Sequence, residues 1–279
     1  MKKLCLFLVI CLMTSMLFSV PAFAETEEEE DNSGTITIVE DDGAEIPELT
    51  QIEESEPFVP EGVEKAVFGH DDRYEMNPTK HPYVAIGMLV AKGTCGCSWM
   101  GSGFMVSKNF MLTAAHCLVC TKHSAWAQSL DIYFGYRNSR NYYYKYSDKW
   151  DAWAGNLFKN KKYTIEGDWA VIKFKKNVGN KTGWFGWRFG MSQSDFDGDD
   201  LYYVAGYRDE KVRMAAGYDI RKDKDGFLNF TMDTVPGNSG GPIFTQDNIA
   251  VGIIIAENSL YNTGYPLNAA IKNKWDEMK

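Results

Sequence analysis

Three short segments of this 279-residue chain carry side chains that together can activate a serine. Leu112-Thr113-Ala114-Ala115-His116-Cys117 presents an imidazole after a run of small residues. Glu166-Gly167-Asp168-Trp169-Ala170-Val171-Ile172 sets an acid at the mouth of an apolar run, and Pro236-Gly237-Asn238-Ser239-Gly240-Gly241-Pro242 holds a serine in a glycine-rich loop. A serine hydroxyl is a poor nucleophile until a hydrogen-bonded imidazole takes its proton. A buried carboxylate then fixes the imidazole tautomer and stabilises the imidazolium. The expected roles are Ser239 as nucleophile, His116 as base and Asp168 as orienting acid. Glycines beside Ser239 permit a turn that aims the Gly237 and Ser239 amides at one point, an oxyanion hole stabilising the developing charge by roughly 3 to 4 kcal/mol per donor. Each segment alone has an ordinary structural explanation. Their joint occurrence in the order His, Asp, Ser is one of the known catalytic arrangements.

The elements that must position these residues read as strands. Short runs rich in β-branched and aromatic residues span 83–91, 103–106, 110–113, 130–136, 169–174, 201–206, 227–232 and 249–255, punctuated by Gly, Asn, Asp or Lys. Many short strands with turn signals and no alternating helices predict an antiparallel barrel or sandwich. At the end of the chain, Leu267, Ile271, Trp275 and Met278 recur at helical spacing and predict a short terminal helix. The aromatic run at Tyr142, Tyr143, Tyr144 and Tyr146 reads as a hairpin packed on one face rather than a binding platform.

Charge divides the chain sharply. Lys2 and Lys3, an apolar run from Leu4 to Val20 and the ending Ala22-Phe23-Ala24 read as a signal peptide cleaved after Ala24. Residues 25–65 hold sixteen Asp or Glu against a single basic residue, Lys65, and are expected to be a disordered acidic pro-region. Without these two segments the net charge of -9 becomes +4, so the body at 66–279 is mildly basic and the acidic segment can dock on it. The body has the size of one large β domain or of two packed barrels. The expected product is a secreted monomer, made as a zymogen, without stable membrane insertion and without nucleic-acid partners.

Cys5 and Cys11 leave with the signal peptide, and Cys95, Cys97, Cys117 and Cys120 remain. Four cysteines in an exported chain predict two disulfides. Cys95 and Cys97 are too close to bridge comfortably, so each is expected to pair with Cys117 or Cys120, in an order the sequence leaves open. C-x-C followed by C-x-x-C also has the spacing of zinc ligands. Export to an oxidising compartment favours the disulfides, so neither metal nor cofactor is expected.

These residues resemble a family. Thr113–Cys117 and Gly237–Pro242 look like the catalytic signatures of chymotrypsin-like serine proteases, and Asp168–Ile172 resembles their aspartate strand. A closer likeness is to the bacterial glutamyl endopeptidase branch, carried by Ala66–Arg73, His81–Ile86, Asp200–Tyr207 and Ser259–Gly264. The resemblance implies an all-β fold of two six-stranded antiparallel barrels dividing near 175–190, to which the short C-terminal helix read above is added. It further implies a serine endopeptidase acting on protein or peptide substrates through an acyl-enzyme, with the active site between the barrels. In that branch a carboxylate before the cut is held by a histidine, a hydroxyl and the mature amino terminus. Here Thr234 supplies the hydroxyl and Ala66 the amine, while Ile254 stands where the histidine is expected. Asp233 lies six residues before Ser239, where trypsin-type enzymes place the carboxylate that pairs with Arg or Lys, so an Arg/Lys preference stays open beside Glu/Asp. Asn238 replaces the aspartate that captures a freed amino terminus in trypsin-type activation. A catalytically inactive binding protein on the same barrels is the alternative of a different class, and it predicts loss of a triad residue.

Overall fold

Segments in which β-branched and aromatic residues alternate with small or polar ones make up most of the regular structure in the computed structural model. It describes residues 34–39, 71, 73–138, 140–159, 162–198, 200–208, 211–257 and 260–279. The expected signal peptide and most of the expected pro-region, with Ala66, lie outside the described residues. Two curled antiparallel half-barrels account for the fold.

The first is drawn from β1 (Gly34–Val39), β3 (Ile86–Gly93), β4 (Ser98–Met105), β5 (Phe110–Thr113), β6 (Val119–Cys120), β7 (Ala125–Phe134), β8 (Tyr144–Tyr146), β9 (Trp150–Gly155) and β12 (Ala170–Phe174). Its strand order is β1-β9-β12-β5-β4-β3-β7-β6, with β8 on β7. The second comprises β2 (Tyr74–Glu75), β13 (Gly186–Trp187), β14 (Tyr202–Arg208), β15 (Lys211–Gly217), β16 (Ile220–Lys222), β17 (Leu228–Phe230), β18 (Pro242–Thr245), β19 (Ile249–Glu257) and β20 (Asn262–Pro266). Its order is β16-β17-β20-β19-β18-β14-β15-β2, with β13 on β19. β10 (Phe158–Lys159) and β11 (Lys162–Tyr163) form a small separate hairpin. The helices are α1 (Gly179–Thr182) and α2 (Ala269–Met278).

The strand expected over 83–91 begins later. Residues 83–85 form a 3-10 turn entered from Pro82, whose backbone is helical, and the strand starts at Ile86. Phe104, Leu89, Leu112, Ile132 and Val171 fill the first barrel, and Tyr202, Leu228, Phe230 and Ile243 fill the second. Each such side chain stabilises the fold by about 1.5 to 3 kcal/mol through burial. α2 starts at Asn268, whose Oδ1 accepts the Ile271 amide at 3.2 Å. Its Trp275 meets Phe110 of the first sheet and Trp187 of the second edge-on, with centroids 6.3 and 4.6 Å apart, so the helix ties the two sheets together.

The acidic segment differs from expectation at one place. Gly34–Val39 forms a strand paired in parallel along β9, from Gly34 opposite Trp150 to Val39 opposite Gly155. The physical reason is local: Thr-Ile-Thr-Ile-Val is an uncharged β-branched run within an otherwise acidic stretch, and Ile36 packs against the first core. A Cβ at Gly34 would lie 2.1 Å from the Trp150 ring. Gly34→Val is therefore expected to detach this strand and leave the barrels intact, read as lost hydrogen-exchange protection at residues 36–38 with Tm changed by less than about 3 °C, the shift that roughly 1 kcal/mol produces. Retained protection would show that the close approach to Trp150 does not hold the strand.

Candidate active site

Strand register brings the histidine and the aspartate together. Thr113, the last residue of β5, pairs with Ala170, the first of β12, so the chain three residues after one and two before the other lies at the same sheet edge. His116 sits there in a 3-10 turn, Ala115–Leu118. Asp168 is fully buried. Its Oδ2 lies 2.7 Å from His116 Nδ1 and accepts from the Tyr163 hydroxyl at 3.2 Å, while Oδ1 accepts the His116 amide at 2.9 Å. A carboxylate without water is tolerable only with such partners. These contacts leave Nδ1 as the protonated nitrogen of the neutral ring and Nε2 as the free base.

Burial disfavours a charged imidazole, but the charge of Asp168 and its hydrogen bond outweigh that cost and raise the His116 pKa well above 6.5. Tyr163, half-buried beside the same carboxylate, has its phenol pushed far upward by lost hydration and by the Asp168 charge and stays a neutral donor. Sequence reasoning missed Tyr163. Its only linear cue is a position five residues before Asp168.

The serine comes from the second barrel. Gly237–Gly241 lies between β17 and β18, where Gly237 has φ +102° and Gly240 φ +84°. Both are confined to glycine by contacts as well as by φ: a Cβ at Gly240 would stand 2.0 Å from the Ser102 carbonyl, and one at Gly237 2.7 Å from that of Tyr207. The Asn238 amide donates to Val235 and the Gly240 amide to Ile254. The amides of Gly237 and Ser239, which alternate with them, have no partner among the described residues. Asn238 is buried, its Oδ1 accepting from the Val235 amide at 2.9 Å and its Nδ2 donating to the Tyr207 carbonyl at 3.3 Å. An aspartate could not make the second bond, which accounts locally for asparagine here.

A residue with no catalytic signature joins the two halves. Ser102 of β4 is fully buried; its Oγ donates to the Gly237 carbonyl at 2.7 Å and accepts the Tyr207 amide at 2.8 Å. Its amide donates to the Ser239 carbonyl at 2.8 Å, and its carbonyl accepts from Thr113 Oγ1 at 2.6 Å. Cys117, next to His116, also donates its thiol to the Ser239 carbonyl at 3.3 Å. The structure thus brings His116, Asp168, Gly237 and Ser239 to one seam.

The expected pocket residues are placed less uniformly. Asp233 and Thr234 are buried in the segment leading to Ser239. Ile254 packs in the second core with Met232 and Leu228, while its backbone bonds Gly240 and Gly241. The two expected disulfides are not formed, and all four cysteines are free. Cys117 is buried against the nucleophile loop, away from Cys95, Cys97 and Cys120, which converge instead with His123. The strands carrying them fix this division, since Cys117 lies in the 3-10 turn facing the seam and Cys120 three residues on, at the end of β6.

A model of the trypsin-like peptidase domain matches residues 101–253, more than half of the chain, and the chain belongs to that family. Two relatives are similar to the chain over most of its length. The extracellular metalloprotease of Bacillus subtilis is 29% identical over 221 residues, covering 71% of this chain and 65% of that protein. The glutamyl endopeptidase of Bacillus licheniformis is 27% identical over 196 residues, covering 66% and 56%. The chain thus spans less than two thirds of the length of either relative. A Glu endopeptidase solved in complex with MPD superposes with a TM-score of 0.61 at 22% identity, covering 76% of this chain and 99% of that one, and shows the fold.

The neutral imidazole is the form that can take a proton, so activity should rise with pH through the raised His116 pKa. The kcat/KM profile is expected to show its acidic limb above 6.5, and Asp168→Asn to move that limb down and lower kcat about 10⁴-fold. Stability runs the other way. The folded state binds this proton more tightly than the unfolded chain, so the pair's contribution is complete below about pH 6.5 and is lost as pH rises through the folded pKa. An acidic limb unmoved by Asp168→Asn would remove the carboxylate from this role.

Ser102→Ala leaves the Gly237 carbonyl and the Tyr207 amide without their buried partner, each costing about 1 to 3 kcal/mol. Urea unfolding should therefore show a loss of roughly 2 to 6 kcal/mol, with kcat falling more than ten-fold because the nucleophile loop loosens. Unchanged kcat in a folded variant would show that the loop holds its shape without this bond.

Proposed function

We propose that the chain is an exported serine endopeptidase that hydrolyses peptide bonds through an acyl-enzyme on Ser239, with a preference for Glu or Asp before the cut. The observation that carries this is the bidentate hold of buried Asp168 on His116, set against the loop that presents Ser239. In the proposed mechanism Ser239 Oγ attacks the scissile carbonyl while His116 Nε2 takes its proton. Asp168 stabilises the imidazolium, and the Gly237 and Ser239 amides receive the oxyanion. His116 then protonates the leaving amine, and the same base activates the water that releases the acyl group. All three triad residues are present, which weighs against an inactive binding protein.

Export is supported by the basic-apolar first segment with its Ala22-Phe23-Ala24 ending, and by the name of the Bacillus subtilis relative. The acidic segment is proposed to be removed after Lys65, freeing the Ala66 amine. Preference for an acidic side chain is supported by the glutamyl endopeptidase relative, by Thr234 and by that amine. Asp233 is the opposing signal, because a buried carboxylate facing a substrate carboxylate would cost several kcal/mol. It is 4% exposed and already interacts within the protein, the situation of a structural carboxylate rather than a receptor for a cation.

Secreted protein should begin at Ala66 and cleave Glu substrates at least ten-fold faster than matched Arg or Leu substrates, a discrimination of about 1.4 kcal/mol. Asp233→Ser should leave that ranking unchanged, and Ser239→Ala should abolish cleavage in a folded protein. Arg cleavage lost in Asp233→Ser would replace the Glu/Asp preference with the trypsin-like one; cleavage persisting in Ser239→Ala would remove the serine mechanism.

A further inference from the structure

Three thiols and one imidazole meet where the β3–β4 turn approaches the β6–β7 turn of the first barrel, outside the catalytic machinery. Cys95 and Cys97 occupy the turn between β3 and β4, closed by Gly93 and Cys97 backbone bonds. Cys120 ends β6, and His123 follows in the tight turn to β7, its amide donating to the Cys120 carbonyl at 3.2 Å. The Sγ atoms of Cys95, Cys97 and Cys120 and a ring nitrogen of His123 all lie within 4.8 Å of one another. His123 Nδ1 is 3.4 Å from both Cys97 Sγ and Cys120 Sγ. Tetrahedral zinc with bonds of about 2.3 Å to sulfur and 2.0–2.1 Å to nitrogen places its sulfur and nitrogen ligands about 3.6 Å apart.

We propose that Cys95, Cys97, Cys120 and His123 bind one structural zinc ion. Three soft thiolates with one imidazole form a donor set suited to zinc. Four protein ligands close the coordination sphere and leave no position for a water, so the ion is structural and the serine chemistry is untouched. Binding converts three thiols into thiolates and releases three protons, with no change of oxidation state. His123 coordinates through Nδ1 and keeps its proton on Nε2.

Disulfide chemistry fits the arrangement poorly. Two bridges would need Cys117, which is buried and donates to the Ser239 carbonyl. One bridge among the remaining three would strand a thiol beside a histidine. An ion uses all four groups. It also fastens the 93–98 turn to the segment that runs from His116 through Cys117 to Cys120, beside the bond from Trp99 Nε1 to the Cys117 carbonyl at 3.0 Å. The site therefore clamps the segment that carries the base.

The test is metal content, thiol state and melting of the full chain purified from an exporting host. One zinc per chain by elemental analysis is expected, with thiolate-to-metal charge transfer when cobalt replaces it. Cys97→Ser and His123→Ala should lose the ion or bind it at least ten-fold more weakly, and Cys117→Ser should retain it. Removing the ion with a chelator should lower Tm by roughly 5 to 10 °C. A disulfide joining any two of Cys95, Cys97 and Cys120 in the exported protein overturns the proposal, whatever the reduced chain binds afterwards. So does a chain with all thiols free that takes up no added zinc.

Discussion

The candidate site depends on a seam that, among the described residues, no disulfide crosses. Apart from β2, which joins the second half-barrel from ahead of β3, the two half-barrels follow one another in sequence, the last strand of the first ending at Phe174 and β13 of the second opening at Gly186. His116 and Asp168 belong to one side and Ser239 to the other. Ser102 meets the requirement for closure: one buried hydroxyl and its own peptide groups bond Gly237, Tyr207, Ser239 and Thr113. A polar group placed there without partners would be costly, so the seam either closes fully or opens to water. That all-or-none character is what lets a small hydroxyl set the position of a nucleophile.

On the imidazole side the governing quantity is charge. Asp168 is the fully buried acid of the site, and its donors come from three different places: the His116 backbone, the His116 ring and Tyr163. The neutral ring keeps its proton on Nδ1, so all three donors remain when Nε2 gives up its own and the carboxylate is never left bare. The raised His116 pKa expresses the same environment seen from the cation's side, with burial resisting the charge and Asp168 favouring it.

Legibility in the sequence followed the range of the interaction involved. The three candidate segments were readable because each packs its chemistry into a few adjacent residues; the strand pattern foretold an antiparallel β fold, the resemblance its two barrels, and the spacing of Leu267, Ile271, Trp275 and Met278 foretold α2. Ser102 and Tyr163 were not readable, because their roles exist only through contacts that folding creates: Ser102 lies more than a hundred residues from Gly237 and Tyr207. The cysteines were read as two bridges from their number in the chain; the structure instead sets Cys95, Cys97 and Cys120 beside His123 and Cys117 against the Ser239 carbonyl, a division made by the fold and not by the count. The acidic leader was read by its average charge, which hid the one stretch at 34–39 able to pair as a strand.

That strand changes what release of the leader would mean. While the chain is intact, β1 occupies the open edge of β9 as a tethered segment, and its local concentration is set by the intervening residues rather than by how much protein is present. A cut after Lys65 would leave every backbone contact in place but turn the strand into a separate peptide, able to leave and be diluted. β9 would then present unpaired amides and carbonyls to solvent, the condition under which sheets recruit other chains. After such a cut the protein would carry its own sheet-capping ligand for a limited time, and crowded surroundings would lengthen that time.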